Sequence, residues 1–123
     1  MGRRILVQRK GRGTTQWRSP VHKKIAPARH PKWAPEKTYT GSILRLVHEA
    51  GRGAPLAEIK YEGESKLHYI VAPEGAQVGQ PIECGDDATL ANGNTLILEH
   101  IPEGTPIYNI EQSPGDGGKY VRA

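Results

Sequence analysis

Apolar and polar side chains alternate most cleanly in the middle of the chain. From Leu56 to Glu62, Ala57, Ile59 and Tyr61 face one way while Glu58, Lys60 and Glu62 face the other, the period-two signature of a half-buried strand. The stretch before it, Thr38 to Glu49, is rich in β-branched and aliphatic residues, with Gly41 marking a bend, and it runs into the turn signal Gly51-Arg52-Gly53. After Glu62-Gly63-Glu64, a second turn, Leu67 to Ala72 reads as a third strand. Pro73-Glu74-Gly75 breaks the chain again before a short strand at Gln80 to Cys84. Asn92-Gly93-Asn94 is a strong turn followed by the apolar Leu96, Ile97 and Leu98. Pro102-Glu103-Gly104 and then Ile107 to Glu111 repeat the rhythm, and Ser113 to Gly118 is almost entirely turn residues. No segment sustains helical spacing, so the pattern predicts an all-β fold, a small barrel or sandwich of short strands.

Residues 1 to 37 break this pattern. They show no sustained periodicity, and Pro20, Pro27, Pro31 and Pro35 exclude a helix longer than two turns in their second half. The segment reads as an extended arm, largely disordered until a partner orders it. Charge sharpens the boundary. The first forty residues hold eleven of the seventeen Lys and Arg but one acid, Glu36, of thirteen, a net of +10. The other eighty-three hold six basic and twelve acidic side chains, a net of −6, so the overall +4 conceals two electrostatically opposite pieces. A cationic arm of this density repels itself until a polyanion neutralises it.

The candidate contacts follow from that. Arg3, Arg4, Arg9, Lys10, Arg12, Arg18, Lys23, Lys24, Arg29, Lys32 and Lys37 are the arm cations. If about six to eight of them neutralise phosphates, affinity falls by roughly three to four decades between about 50 and 200 mM salt. Trp17 and Trp33 sit among them. Each either stacks on an unpaired base, worth about 1–3 kcal/mol, or packs back onto the barrel. Gly11-Arg12-Gly13 lets the backbone approach a phosphate closely. Gly51-Arg52-Gly53 either does the same, with Arg52 on the phosphate, or is a plain hairpin turn. Gly115-Asp116-Gly117-Gly118-Lys119 lacks the frame of a nucleotide phosphate loop, because Tyr120 follows Lys119. It could still lie on an RNA backbone, with Lys119 and Arg122 as contacts.

Other chemistry is sparse. Of His22, His30, His48, His68 and His100, the first two have no Cys or acid nearby at metal-ligand spacing. His48 and His68 read as surface or core-edge residues on strands, and Cys84 reads as a small buried hydrophobe. No motif implies a cofactor, a metal, a catalytic constellation or a small-molecule substrate. Met1 to Lys10 lacks the apolar core of a secretory leader, and no run approaches the roughly twenty apolar residues of a membrane span. With a single cysteine, a reducing, cytoplasmic location is expected.

Several stretches, in order, resemble one family. They are Gln8-Arg9-Lys10-Gly11-Arg12-Gly13, Gly51-Arg52-Gly53-Ala54-Pro55-Leu56-Ala57, Tyr69-Ile70-Val71-Ala72-Pro73-Glu74-Gly75, Pro102-Glu103-Gly104-Thr105 and Pro114-Gly115-Asp116-Gly117-Gly118-Lys119. Together they look like the universal large-subunit ribosomal protein two family in its archaeal or eukaryotic form, over essentially the whole chain. The resemblance implies a non-enzymatic structural constituent of the large ribosomal subunit. Such a protein binds large-subunit rRNA beside neighbouring ribosomal proteins, and helps organise the peptidyl-transferase region and subunit association. It further implies an extended basic arm at residues 1–37, an OB-like barrel at 38–90 and the start of an SH3-like barrel at 91–123. Family members run to about twice this length, so the chain reads as C-terminally incomplete, lacking the parts nearest the catalytic RNA. Two rival readings remain: a free-standing OB-type single-stranded nucleic-acid binder using the barrel face and the two Trp, and a small hydrolase, for which no acid-base group is identified.

Overall fold

A computed structural model describes residues 2, 3, 5–32, 34 and 36–122, with the backbone alone at residue 9. Four strands form one antiparallel sheet: β1 (Tyr39–Val47), β2 (Leu56–Tyr61), β3 (Leu67–Val71) and β4 (Pro81–Cys84), in the spatial order β3-β2-β1-β4. The architecture is all-β, as the strand rhythm predicts, and OB-like, as the family resemblance implies. The only α-helix among the described residues is one short turn, α1 (Leu6–Lys10), and the 3₁₀ turns Thr15–Trp17, Val21–Lys23 and Leu98–His100 complete the regular structure.

The inner face collects Ile43, Ala57, Ile59, Tyr61, Ile70, Ile82 and Cys84, all buried. Ala57, Ile59 and Tyr61 are the inward set that alternation predicts. Burial pushes the Cys84 thiol up to about 11, so it stays protonated and packs as a small apolar group. Tyr61 stacks edge-on against Tyr39 and His68, with ring centroids 5.8 and 5.3 Å away. Gly63, at φ 77°, closes the β2–β3 hairpin in a conformation that favours glycine.

The opposite face departs from the simple alternation. Glu58 points away from the inner core, as its parity requires, yet it is only 4% exposed. A bulge explains this. Ile43 pairs with Ile59 but Arg45 pairs with Glu58, so Leu44 is the extra residue in β1. An inserted residue reverses side-chain parity, which brings Arg45 onto the face of Glu58. Arg45 Nε and Nη2 donate to Glu58 Oε2 at 3.0 and 2.9 Å, and the Tyr69 hydroxyl on β3 donates to the same oxygen at 2.8 Å. Hydrogen bonds from Arg45 and then Tyr69, outweighing burial, hold this carboxyl below the usual carboxylate range. The facing predicted for Glu58 holds, but a cross-strand triad covers it.

Gly41 does not interrupt the strand. It lies within β1, paired with Tyr61, where the two backbones approach closely. Beyond β4 the strand rhythm weakens. Thr95 bridges Cys84 and Ile110 bridges Tyr120, each as an isolated pair, and Leu98 opens a 3₁₀ turn rather than closing a strand. The apolar residues of this region line an open groove of about 790 Å³ that includes Leu90, Leu96, Ile97, Ile107 and Ile110.

Candidate nucleic-acid interface

The described arm cations share one environment. Arg3, Lys10, Arg12, Arg18, Lys23, Lys24, Arg29, Lys32 and Lys37 are all exposed, and none takes part in an ion pair. Two lie over aromatic rings: the Lys10 ammonium sits 4.8 Å from the centre of the Trp17 ring, and that of Lys37 sits 4.2 Å from the centre of the Tyr39 ring. Both leave the charge open to an anion. Trp17 is 39% exposed and its described ring contact is this local one. Of the remaining predicted contacts, Arg4, Trp33 and the Arg9 side chain lie outside the described residues.

Three of the six body cations are used differently, while Lys60, Lys66 and Arg122 are exposed and in no described ion pair. Arg45 binds Glu58, Arg52 Nε donates to Glu49 Oε2 at 2.6 Å, and Lys119 Nζ lies 2.6 Å from Asp116 Oδ2. Arg52 and Lys119, both assigned to phosphate by sequence, thus hold carboxylates of their own chain. Arg122 is exposed. The Gly115–Gly118 loop is committed in the same way, since the Gly115 and Gly117 amides donate to Glu111 at 2.8 and 3.0 Å. The internal carboxylate occupies the place where an anion would meet those amides.

The expectation of a largely disordered arm needs correction for residues 23–32, which lie against the body. Glu49, fully buried at the end of β1, accepts the Ile25 amide at 2.7 Å through Oε1 while Oε2 takes Arg52. Burial alone would raise this carboxyl, but the hydrogen bonds from Arg52 and from the Ile25 and Ala26 amides prevail and lower it. The Gly51 amide donates to the Lys23 carbonyl at 3.2 Å, and the Arg29 amide donates to the Tyr69 carbonyl on the edge strand β3 at 3.0 Å. His30 Nδ1 lies 3.3 Å from Thr95 Oγ1 and its Nε2 lies 3.2 Å from Asn109 Nδ2. Burial lowers the His30 pKa, against the opposing influence of Glu111 and Asn109, so the ring bolts the arm down as a neutral group. Finally, the Tyr39 hydroxyl donates to the Lys32 carbonyl at 3.2 Å.

Sequence reasoning missed Glu49 and His30. Apart from Arg52, three residues from Glu49, the partners that tie them to the arm or body lie 24, 65 and 79 residues away, beyond the reach of local pattern. Among the described residues no group of histidine, cysteine and carboxylate side chains could hold a metal ion, and no helix is long and apolar enough to cross a membrane.

Comparison with known proteins gives this arrangement a lineage. Residues 3–84, the arm and all four strands, match the family described as Ribosomal Proteins L2, RNA binding N-terminal domain. The whole chain aligns with the large ribosomal subunit protein uL2 of Hyperthermus butylicus at 51% identity over 123 residues, covering 51% of that protein. It aligns likewise with uL2 of Methanosphaera stadtmanae at 46% identity over 127 residues, covering 52%, and of Methanococcoides burtonii at 44% over 123 residues, covering 52%. The chain spans about half the length of the curated relatives it matches. Both its matched domain and its full-length similarity place the chain in the ribosomal protein L2 (uL2) family.

Proposed function

We propose that this chain is a non-enzymatic structural constituent of the large ribosomal subunit, bound to large-subunit rRNA through its basic arm. The observation that carries this reading is the distribution of charge: the described arm cations are exposed and in no described ion pair, whereas three of the six body cations, Arg45, Arg52 and Lys119, are matched to carboxylates. Exposed cations without partners release counterions when they meet phosphates, which drives association. Arg3, Arg4, Arg9, Lys10, Arg12, Arg18, Lys23, Lys24, Arg29, Lys32, Lys37 and Arg122 carry the phosphate contacts, with Trp17 and Trp33 against bases or sugars. Arg52 and Lys119 contribute less, being already engaged. On the same reading residues 38–90 form the OB-like barrel that positions the arm, and the apolar groove of residues 91–123 is the inward face of an SH3-like unit. Neighbouring ribosomal proteins and a cytoplasmic ribosomal location belong to this reading, as do the organisation of the peptidyl-transferase region and subunit association.

Competition binding tests it. Labelled large-subunit rRNA fragments should be retained against an excess of unstructured oligonucleotide, with affinity falling steeply as salt rises. Equal affinity for an unstructured single strand would favour a free-standing single-strand binder and overturn the proposal.

A further inference from the structure

Among the described residues, the hydrogen bonds between arm and body begin at Lys23, and their anchor is a buried carboxylate. Residues 5–22 make hydrogen bonds within themselves, such as Gln8 N to Ile5 O and Trp17 N to Thr14 O, and every one of them with a described side chain is exposed. At Lys23 the character changes. The Lys23 carbonyl accepts from Gly51, the Ile25 amide donates to Glu49, and a Cβ built on Gly51 would stand 3.1 Å from Lys24 Cγ, so the two segments are in contact. Four residues further, the Arg29 amide reaches the edge of β3.

We propose that Glu49 is a positioning residue for RNA binding. Through the Ile25 amide on one oxygen and Arg52 on the other, it fixes Lys23, Lys24 and Arg29 against the body before RNA arrives. The proposal rests on the arm being the RNA-binding element. Glu49 touches no phosphate: as a carboxylate it would repel one, and it is fully buried. Its effect is to keep the proximal arm in one arrangement, so that binding has to order only the residues ahead of Lys23. A ligand that meets a binding-competent population of fraction f binds with an apparent Kd larger by 1/f, and pre-ordering raises f. The anchor therefore acts on affinity without changing how many phosphates are met.

That separation supplies the test. Ile25→Pro removes the Ile25 amide, which Glu49 accepts together with that of Ala26, while leaving the body sequence intact. The Ile25 side chain is 50% exposed, and Lys24, at φ −96° and ψ 133°, already has the extended backbone that a residue before proline adopts. Glu49→Gln is the companion variant from the body side, and Lys24→Gln, which deletes a contact rather than the anchor, is the reference. Amide exchange over residues 23–32 and the affinity for a large-subunit rRNA fragment across a salt series are measured for all of them.

The expected result for Ile25→Pro is faster exchange at the remaining amides of residues 23–32, affinity lower by about tenfold, and an unchanged log–log salt slope. Lys24→Gln should instead lower the slope by about 0.9 and leave the exchange of that segment as it was. Unchanged affinity despite faster exchange would overturn the positioning role, as would a salt slope that falls with Ile25→Pro. If the wild-type chain binds no rRNA, the proposed function fails, while the exchange data still report whether Glu49 anchors the arm.

Discussion

Gly41 shows how one residue can be located by sequence while the need for it stays hidden. Its place in a β-branched and aliphatic stretch marks a bend, and the structure shows, within β1, what requires a glycine there. A Cβ there would lie 2.5 Å from the Lys60 carbonyl oxygen and 2.9 Å from Tyr61 Cα, both backbone atoms. Gly41→Ala must therefore push β1 and β2 apart, with an expected loss of about 1–3 kcal/mol of stability, readable as a lower urea midpoint. Glu58 is the complementary case. Alternation gives its facing correctly, but not its burial, which depends on a bulge at Leu44 and a hydroxyl from β3. Because its folded pKa is depressed, the unfolded chain takes up the proton more readily. The stabilisation is thus complete above the ordinary carboxylate value of 4.5 and disappears as pH falls through the lower folded value. The stability gap between the wild type and Glu58→Gln should accordingly be widest near neutral pH and narrow steadily below about pH 4.5, as followed by urea unfolding over a pH series. A gap independent of pH would show that Glu58 acts by packing rather than by charge.

Elements were legible where they are sustained by local pattern. The four strands fall within the stretches that alternation and turn residues mark, because each buries one face and ends at a turn signal. Ile107 to Glu111 has similar residues, yet only Ile110 finds a bridge, to Tyr120. Strand propensity without a neighbouring strand does not make a ladder. The arm was legible as a charge segment but not as two parts, since its inner part is fixed by hydrogen bonds to distant residues of the body. This changes where it can be cut. Removing residues 1–22 deletes no described hydrogen bond to the body, and should leave the unfolding midpoint unchanged. Removing residues 1–37 takes the Ile25 amide from Glu49 and the Arg29 amide from Tyr69. Leaving a buried acceptor unsatisfied costs about 1–3 kcal/mol, so the shorter chain should unfold at lower urea. Equal midpoints for both truncations would mean that water replaces the arm at Glu49 without loss.

For the whole molecule, the useful quantity is which charges remain uncommitted, and net charge does not reveal it. Arg45, Arg52 and Lys119 are held by carboxylates at 2.9, 2.6 and 2.6 Å, so phosphate must compete with an existing partner to recruit them. Among the described residues, no arm cation takes part in an ion pair. The salt dependence of RNA binding should therefore count arm positions selectively. With about six to eight arm contacts, the slope of log affinity against log salt is about −5 to −7. Lys24→Gln and Lys119→Gln make the same change in net charge. If phosphate contacts follow the uncommitted cations, the first should make the slope shallower by about 0.9, and the second should leave it nearly unaltered. The second should instead weaken the Gly115–Lys119 loop, seen as faster amide exchange there, because Asp116 loses its partner. Equal changes in slope for the two variants would mean that RNA reads only the summed charge of the chain. Whether a cation is already held by a carboxylate would then have no bearing on binding.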